Sequence, residues 1–266
     1  MSSAIFDYVL LFSGGLLAGS LGGLLGIGGG IVLMPLLRYG FGLSPVFAAG
    51  TCVVAVFFTT LGGSYRHHRL GHLEFRPIVP IIISGVLTAS IFSLLFGYVS
   101  KHDHWLDMGI GIVFSLISVR MIVEGIRSLD RKNKTQSTGN KIDGTLAQKI
   151  SIGGLAGVLP GLLGIGTGGI LVPAFTFLLK APVKTAVAAS LACFCCNAFV
   201  SSVFKYVQGF VELSLVIPVC LGTVIGANLG AMLNKRFPSG GIKLLFGLVF
   251  TYVSLKFIMS SFAVKI

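Results

Sequence analysis

The chain has 266 residues, 54% of them hydrophobic and only 11% charged, with a mean hydropathy of +0.95, which excludes an ordinary soluble domain. Its net charge of +12 reads as the basic bias of cytoplasmic membrane loops rather than as a nucleic-acid surface. The 5 cysteines include Cys193, Cys195 and Cys196 but no CxxC pair, so they read as small packing residues, with no disulfide or metal site expected.

In chain order, the first apolar stretch covers about residues 5–38 and is interrupted by glycines. It is not a signal peptide, because no basic residue precedes it and no clean small-residue cleavage site follows. Apolar stretches of spanning length, about 20 residues, follow near 44–61, 75–99 and 105–125. A polar, basic linker then separates the halves, expected at 126–145 and reading as cytoplasmic. A second glycine-broken stretch, about 146–179, precedes three more spans near 185–203, 213–233 and 241–262. Each broken stretch is too long for one crossing and awkwardly short for two.

The halves repeat. Gly23-Leu24-Leu25-Gly26-Ile27-Gly28 returns 138 positions later as Gly161-Leu162-Leu163-Gly164-Ile165-Gly166, and each copy reaches a proline seven residues on, Pro35 and Pro173. Ala18-Gly19 matches Ala156-Gly157, Gly71 matches Gly209, and Pro80 matches Pro218. A one-residue slip pairs Gly50-Thr51 with Ala189-Ser190, and Tyr65-Arg66 with Phe204-Lys205. The expected fold is therefore an all-α polytopic membrane protein of two repeats, residues 1–125 and 146–266, each a glycine-broken segment plus three transmembrane helices.

Charge chooses between topologies. If each broken segment crosses once, the basic residues outside helices divide 12 to 7 between the faces; if each is re-entrant, they divide 14 to 5. The sharper asymmetry favours re-entrant segments and inverted repeats, with the linker cytoplasmic and both termini outside.

Small residues four apart, as in Gly153, Gly157 and Gly161, let membrane helices approach closely, and this accounts for most of the glycines. It does not account for the consecutive Gly28, Gly29 and Gly30, or for Gly166, Thr167, Gly168 and Gly169. Each glycine costs a helix interior roughly 1 kcal/mol relative to alanine. Such a break also bares amides: a helix that restarts after it carries unpaired N–H groups and about half a positive charge. That end attracts anions. Two broken segments in matching halves point to a substrate site in a secondary transporter.

One motif is rejected. The sequence from Gly164 to Gly169 matches GxGxxG, but the preceding stretch is membrane-apolar and no Asp or Glu lies between Asp143 and Glu212. Arg120 and Glu124, four apart on one helix, pair with each other. Tyr65-Arg66-His67-His68-Arg69 reads as a cytoplasmic anchor, and adjacent histidines alone make no metal site. No nucleophile–base or carboxylate pair is present, so no enzyme and no cofactor are expected. The more telling uncharged polar residues inside apolar segments are Thr51, Cys52, Thr167, Ser190, Asn197 and Asn228. Thr51 and Ser190 stand just inside the helix after each broken segment, where hydroxyls donate to an anion or bond back to their own helix.

Gly26-Ile27-Gly28-Gly29-Gly30 with Pro35, the second run Gly164 to Gly169 with Pro173, and Ala48-Ala49-Gly50-Thr51 with its counterpart Ala188-Ala189-Ser190-Leu191 resemble the sulfite exporter TauE/SafE family of membrane permeases, over nearly the whole chain. The resemblance implies transport of a small sulfur-containing anion, such as sulfite, sulfoacetate or another organosulfonate, across a bacterial inner membrane. Cys52 departs from a common serine, and Thr167 interrupts the second glycine run. The expected anion-binding set is Gly28, Gly29, Gly30, Thr51, Cys52, Gly166, Thr167, Gly168, Gly169, Ser190 and Asn197. The same physics allows an anion-selective channel. Besides the anion, the partners expected are the lipid bilayer and no nucleic acid, with a homodimer left open.

Overall fold

The computed structural model describes residues 2–101, 103–130, 142–233 and 239–263, and all regular structure among them is helical. In the first half α1 is Ser2–Leu25, α2 is Gly30–Pro35, α3 is Pro45–Arg69, α4 is Val79–Val99 and α5 is Asp103–Asp130. In the second α6 is Leu146–Leu163, α7 is Gly168–Pro173, α8 is Val183–Val207, α9 is Leu213–Leu233 and α10 is Ser239–Ala263. Seven of these helices are long and apolar enough to cross a membrane. On α4 the residues Ile83, Leu87, Ile91 and Leu94 each expose more than half of their area, an outward stripe suited to lipid. The chain is a multi-pass membrane protein.

Local chemistry sets several helix ends. Ser44 caps α3, its side-chain oxygen accepting from the Phe47 amide, with Pro45 in the first turn where a missing N–H costs nothing. Thr145 and Gln148 form a reciprocal capping box at the start of α6. The short helices share a further feature. After Pro35 and Pro173, which cannot donate to the preceding turn, the backbone widens to π geometry over Leu36–Gly40 and Ala174–Leu178.

Each broken segment divides unequally. The arm before the break is a candidate span in its own right, Ile5–Leu25 or Leu146–Leu163, and the arm after it is a short apolar helix, Gly30–Gly40 or Gly168–Leu178. The short arm doubles back. Gly14 on α1 lies against Leu36, and Gly29 lies against the Ala18 carbonyl. In the second half the Asp143 amide, just before α6, donates to Leu179 O at 3.1 Å.

The contacts fall into two compact units, one of Met1–Tyr98 with Ser137–Asn234, the other of Val99–Gln136 with Lys235–Ile266. In the first unit, α1 sets Gly15, Gly19 and Gly23 against Val219, Thr223 and Ala227 of α9. Likewise α6 sets Gly153, Gly157 and Gly161 against Ile81, Gly85 and Ala89 of α4. Both numberings advance together, so each pair runs parallel, and a Cβ at any of these glycines would strike the facing backbone. By contrast α3 and α8 run antiparallel, with Phe57 against Phe199 (ring centroids 5.4 Å apart) and Gly63 against Leu191.

In the second unit α5 and α10 are antiparallel, tied by Ser118 Oγ donating to Gly247 O at 2.7 Å and Ser254 Oγ donating to Gly111 O at 2.8 Å. Arg120 Nε donates to Glu124 Oε1 at 2.8 Å, the expected pair within one helix. Of the linker, residues 126–130 continue α5, and 131–141 lie outside the described residues.

Candidate functional site

The first break is a run of left-handed backbone: Gly26, Gly28 and Gly29 have φ of 74°, 78° and 76°. A side chain there sets Cβ against the following carbonyl, at roughly 1–2 kcal/mol per residue. The second break needs this only once, at Gly164 with φ 68°. Its other glycines answer to crowding. A Cβ on Gly166 would strike the Ile27 carbonyl oxygen, and one on Gly168 would strike that of Gly26. The two breaks therefore lie directly against each other, and Gly30 adds its own approach to the Gly166 amide. The surroundings match as well, since Gly26 rests on Val187 while Gly164 rests on Ala49, and Ala49 plus 138 is Val187.

Both short helices begin at this meeting point. In α2 the first intrahelical bonds come from the amides of Val32 and Leu33, both to Gly29 O; in α7 those of Ile170 and Leu171 reach Thr167 O. The amides of Gly30, Ile31 and Gly168 therefore have no acceptor inside their own helices. Thr167, at the start of α7, makes no cap, and its hydroxyl is fully buried without a partner.

The remaining expected residues divide. Gly28, Gly29, Gly30, Gly166, Thr167 and Gly168 are buried at the two breaks, and Gly169 is half-buried beside them. Ser190 reaches across to the first break, its Oγ donating to Gly26 O at 3.1 Å. Cys52 faces the start of α2, with Sγ 3.6 Å from Gly30 O. The Thr51 hydroxyl is engaged elsewhere, accepting from the Glu212 amide at 3.0 Å where α9 begins. Asn197 is 1% exposed, and both its amide atoms lack a partner. Asn228 bonds back to Val224 O in its own helix.

Register differs from the expectation. Both ends of α3 and α8 stand 138 positions apart, Pro45 to Val183 and Arg69 to Val207, so no residue is slipped. The counterpart of Ser190 is then Cys52, not Thr51, and each of that pair faces a glycine carbonyl at the breaks. Identity of type (one hydroxyl with another) misleads there, because the shared backbone geometry accepts thiol and hydroxyl alike.

Sequence reasoning also missed a residue, having named Lys205 only as part of the repeat match. Lys205 is 0% exposed on α8 and donates to Pro160 O at 2.7 Å and to Gly161 O at 3.0 Å, with its ammonium 4.4 Å from the Phe96 ring centre. Those carbonyls belong to the last turn of α6, where four lack intrahelical donors. The 138-residue offset relates Lys205 to His67, whose Nε2 lies 3.4 Å from Gly23 O in the last turn of α1. That match of two basic residues across the repeat was the available signal. Among the described residues, no three His, Cys, Asp or Glu side chains come together as metal ligands.

Comparison with known proteins identifies a family. The family model described as "Sulfite exporter TauE/SafE" matches residues 11–257. The chain is 27% identical to the "Probable membrane transporter protein YunE" of Bacillus subtilis, covering 95% of this chain and 97% of that one. It is 28% identical to a "Probable membrane transporter protein" of Xylella fastidiosa, covering 96% of each. A shorter match, 33% identical over 41% of this chain and 25% of the other, is to "Sulfite exporter TauE/SafE family protein 1" of Arabidopsis thaliana. No solved structure matches the chain.

Proposed function

Because the chain belongs to the sulfite exporter TauE/SafE family of membrane transporters, we propose that it is a secondary transporter of a small sulfur-containing anion, sulfite or an organosulfonate, in a bacterial inner membrane. The observation that carries this is the meeting of the two breaks, with Gly166 on Ile27 O and Gly168 on Gly26 O. Two short helices start there, and each start offers amides and about half a positive charge. The buried, unpartnered Thr167 hydroxyl adds a donor at the same place. An oxyanion exchanges its water for these groups, and no carboxylate is needed.

The parallel pairing of α1 with α9 and of α4 with α6, beside the antiparallel α3 and α8, supports two halves of opposite direction. In such inverted repeats, rocking of one half against the other alternates access to a central site. With buried Lys205 left out, the re-entrant division of basic residues becomes 14 to 4 and supports a cytoplasmic linker.

Purified protein in liposomes is the test. Uptake of sulfite or sulfoacetate should saturate and exchange against substrate on the far side. Gly28→Leu and Gly166→Leu should each insert yet bind neither anion, since a side chain at 28 meets the Phe194 ring at 2.5 Å and one at 166 meets the Ile27 carbonyl. Wild-type binding in both variants would remove the breaks from the mechanism, and flux that never saturates would make the protein a channel.

A further inference from the structure

One face of α8 leads away from the breaks, carrying Phe194, Asn197, Ser201 and Lys205 at intervals of three or four residues, with Gln208 just past its end. The Phe194 ring rests on Gly28 and Gly166. One turn on, the unpartnered amide of Asn197 lies over Gly85 of α4, where a Cβ would come within 2.7 Å of Oδ1. Next, Ser201 Oγ accepts from Ser93 Oγ of α4 at 3.2 Å, and Lys205 follows, wholly buried. The face ends at half-buried Gln208, whose Oε1 has no partner although its Nε2 donates to Ser93 O at 2.9 Å.

Lys205 is more than a cap for α6. An ammonium has three donors, and two carbonyls use two of them. Neutral carbonyls and an aromatic face do not cancel a whole charge, and among the described residues no carboxylate pairs with this one. The first half caps its own broken helix with an imidazole, His67 on Gly23 O. Positions matching Asn197 and Ser201 (each minus 138) are Thr59 and Gly63 there, and Thr59 Oγ merely bonds to Ala55 O at 2.8 Å in its own helix. At these matched positions the ammonium and the unsatisfied amide belong to the second half, beyond what the repeated frame requires.

We propose that this face of α8 is the path of the anion between the breaks and one side of the membrane, with Lys205 as its counter-charge and Asn197 as the station between. This rests on the anion-transport reading above. Sulfite and a sulfonate each present three S–O oxygens, which accept from the third N–H of Lys205, from the Asn197 amide and from the Ser201 hydroxyl.

Binding of sulfite and sulfoacetate to the purified full chain, measured by calorimetry beside a thermal melt, tests the path. Lys205→Gln keeps donors for the α6 carbonyls and removes the charge, so affinity should fall about tenfold or more. Lys205→Arg should bind at least about threefold more tightly than Lys205→Gln, and His67→Gln should stay within about twofold of wild type. Affinity of Lys205→Gln within about twofold of wild type overturns the path while leaving the breaks as the site. A wild type that binds neither probe takes down both readings. Should Lys205→Gln fail to fold, Asn197→Leu decides, because it breaks no hydrogen bond. A loss of about threefold or more supports the path, and wild-type affinity ends it.

Discussion

The two breaks reach the same meeting point by different means. The first turns through three left-handed glycines, Gly26, Gly28 and Gly29, while the second turns at Gly164 alone and keeps the rest of its glycines for close approach to the first. The same divergence runs through the caps, imidazole on α1 and ammonium on α6. The backbone path repeats, since the ends of α2 and α3 recur 138 positions on in α7 and α8 and the glycine seams keep that offset, while the side chains differ. One half became largely frame; the other gathered the buried charge and the unpaired amide.

That contrast yields its sharpest test in alanine. Gly28→Ala should cost about 2–4 kcal/mol, part from its positive φ and part from contact with the Phe194 ring. Adding Phe194→Leu should recover the second part, visible as a partial return of the melting temperature. Gly166→Ala should show no such recovery, because its obstacle is the Ile27 carbonyl, which cannot be trimmed. Equal rescue at both positions would mean that the breaks are built alike.

The seams test what the halves share. Gly19→Ala and Gly157→Ala each drive a Cβ into a facing carbonyl, of Thr223 and of Gly85, and should cost a similar amount, about 1–3 kcal/mol. Gly154→Ala meets only Thr88 Oγ1 at 3.6 Å and should leave stability within about 0.5 kcal/mol. A large cost at Gly154, or a large difference between the two seam positions, would break the equivalence in denaturation of the detergent-purified protein.

The smallest effect separates hydroxyl from thiol. Ser190→Ala loses a buried hydrogen bond to Gly26 O and should cost about 1 kcal/mol. Cys52→Ala loses a weak donor 3.6 Å from Gly30 O and should cost less, about 0.5 kcal/mol. A reversed order in the melts would place the stronger tie in the first half.

Composition and periodicity were enough for the helical membrane class and for five of the six plain spans, because a bilayer demands long apolar runs; the sixth, near 241–262, meets only the shorter apolar helix Gly247–Phe262. The breaks were legible too, since consecutive glycines cannot hold a helix. Pairing was not legible. That α1 lies along α9, or that Gly166 backs onto Ile27 O, depends on residues more than 130 positions apart with no local signature. Nor was the place of Lys205, which from its neighbours Phe204 and Tyr206 reads as a charge at a helix end. Only packing decided that α6 and α4 enclose it, because burial is a property of what surrounds a side chain and not of the side chain itself.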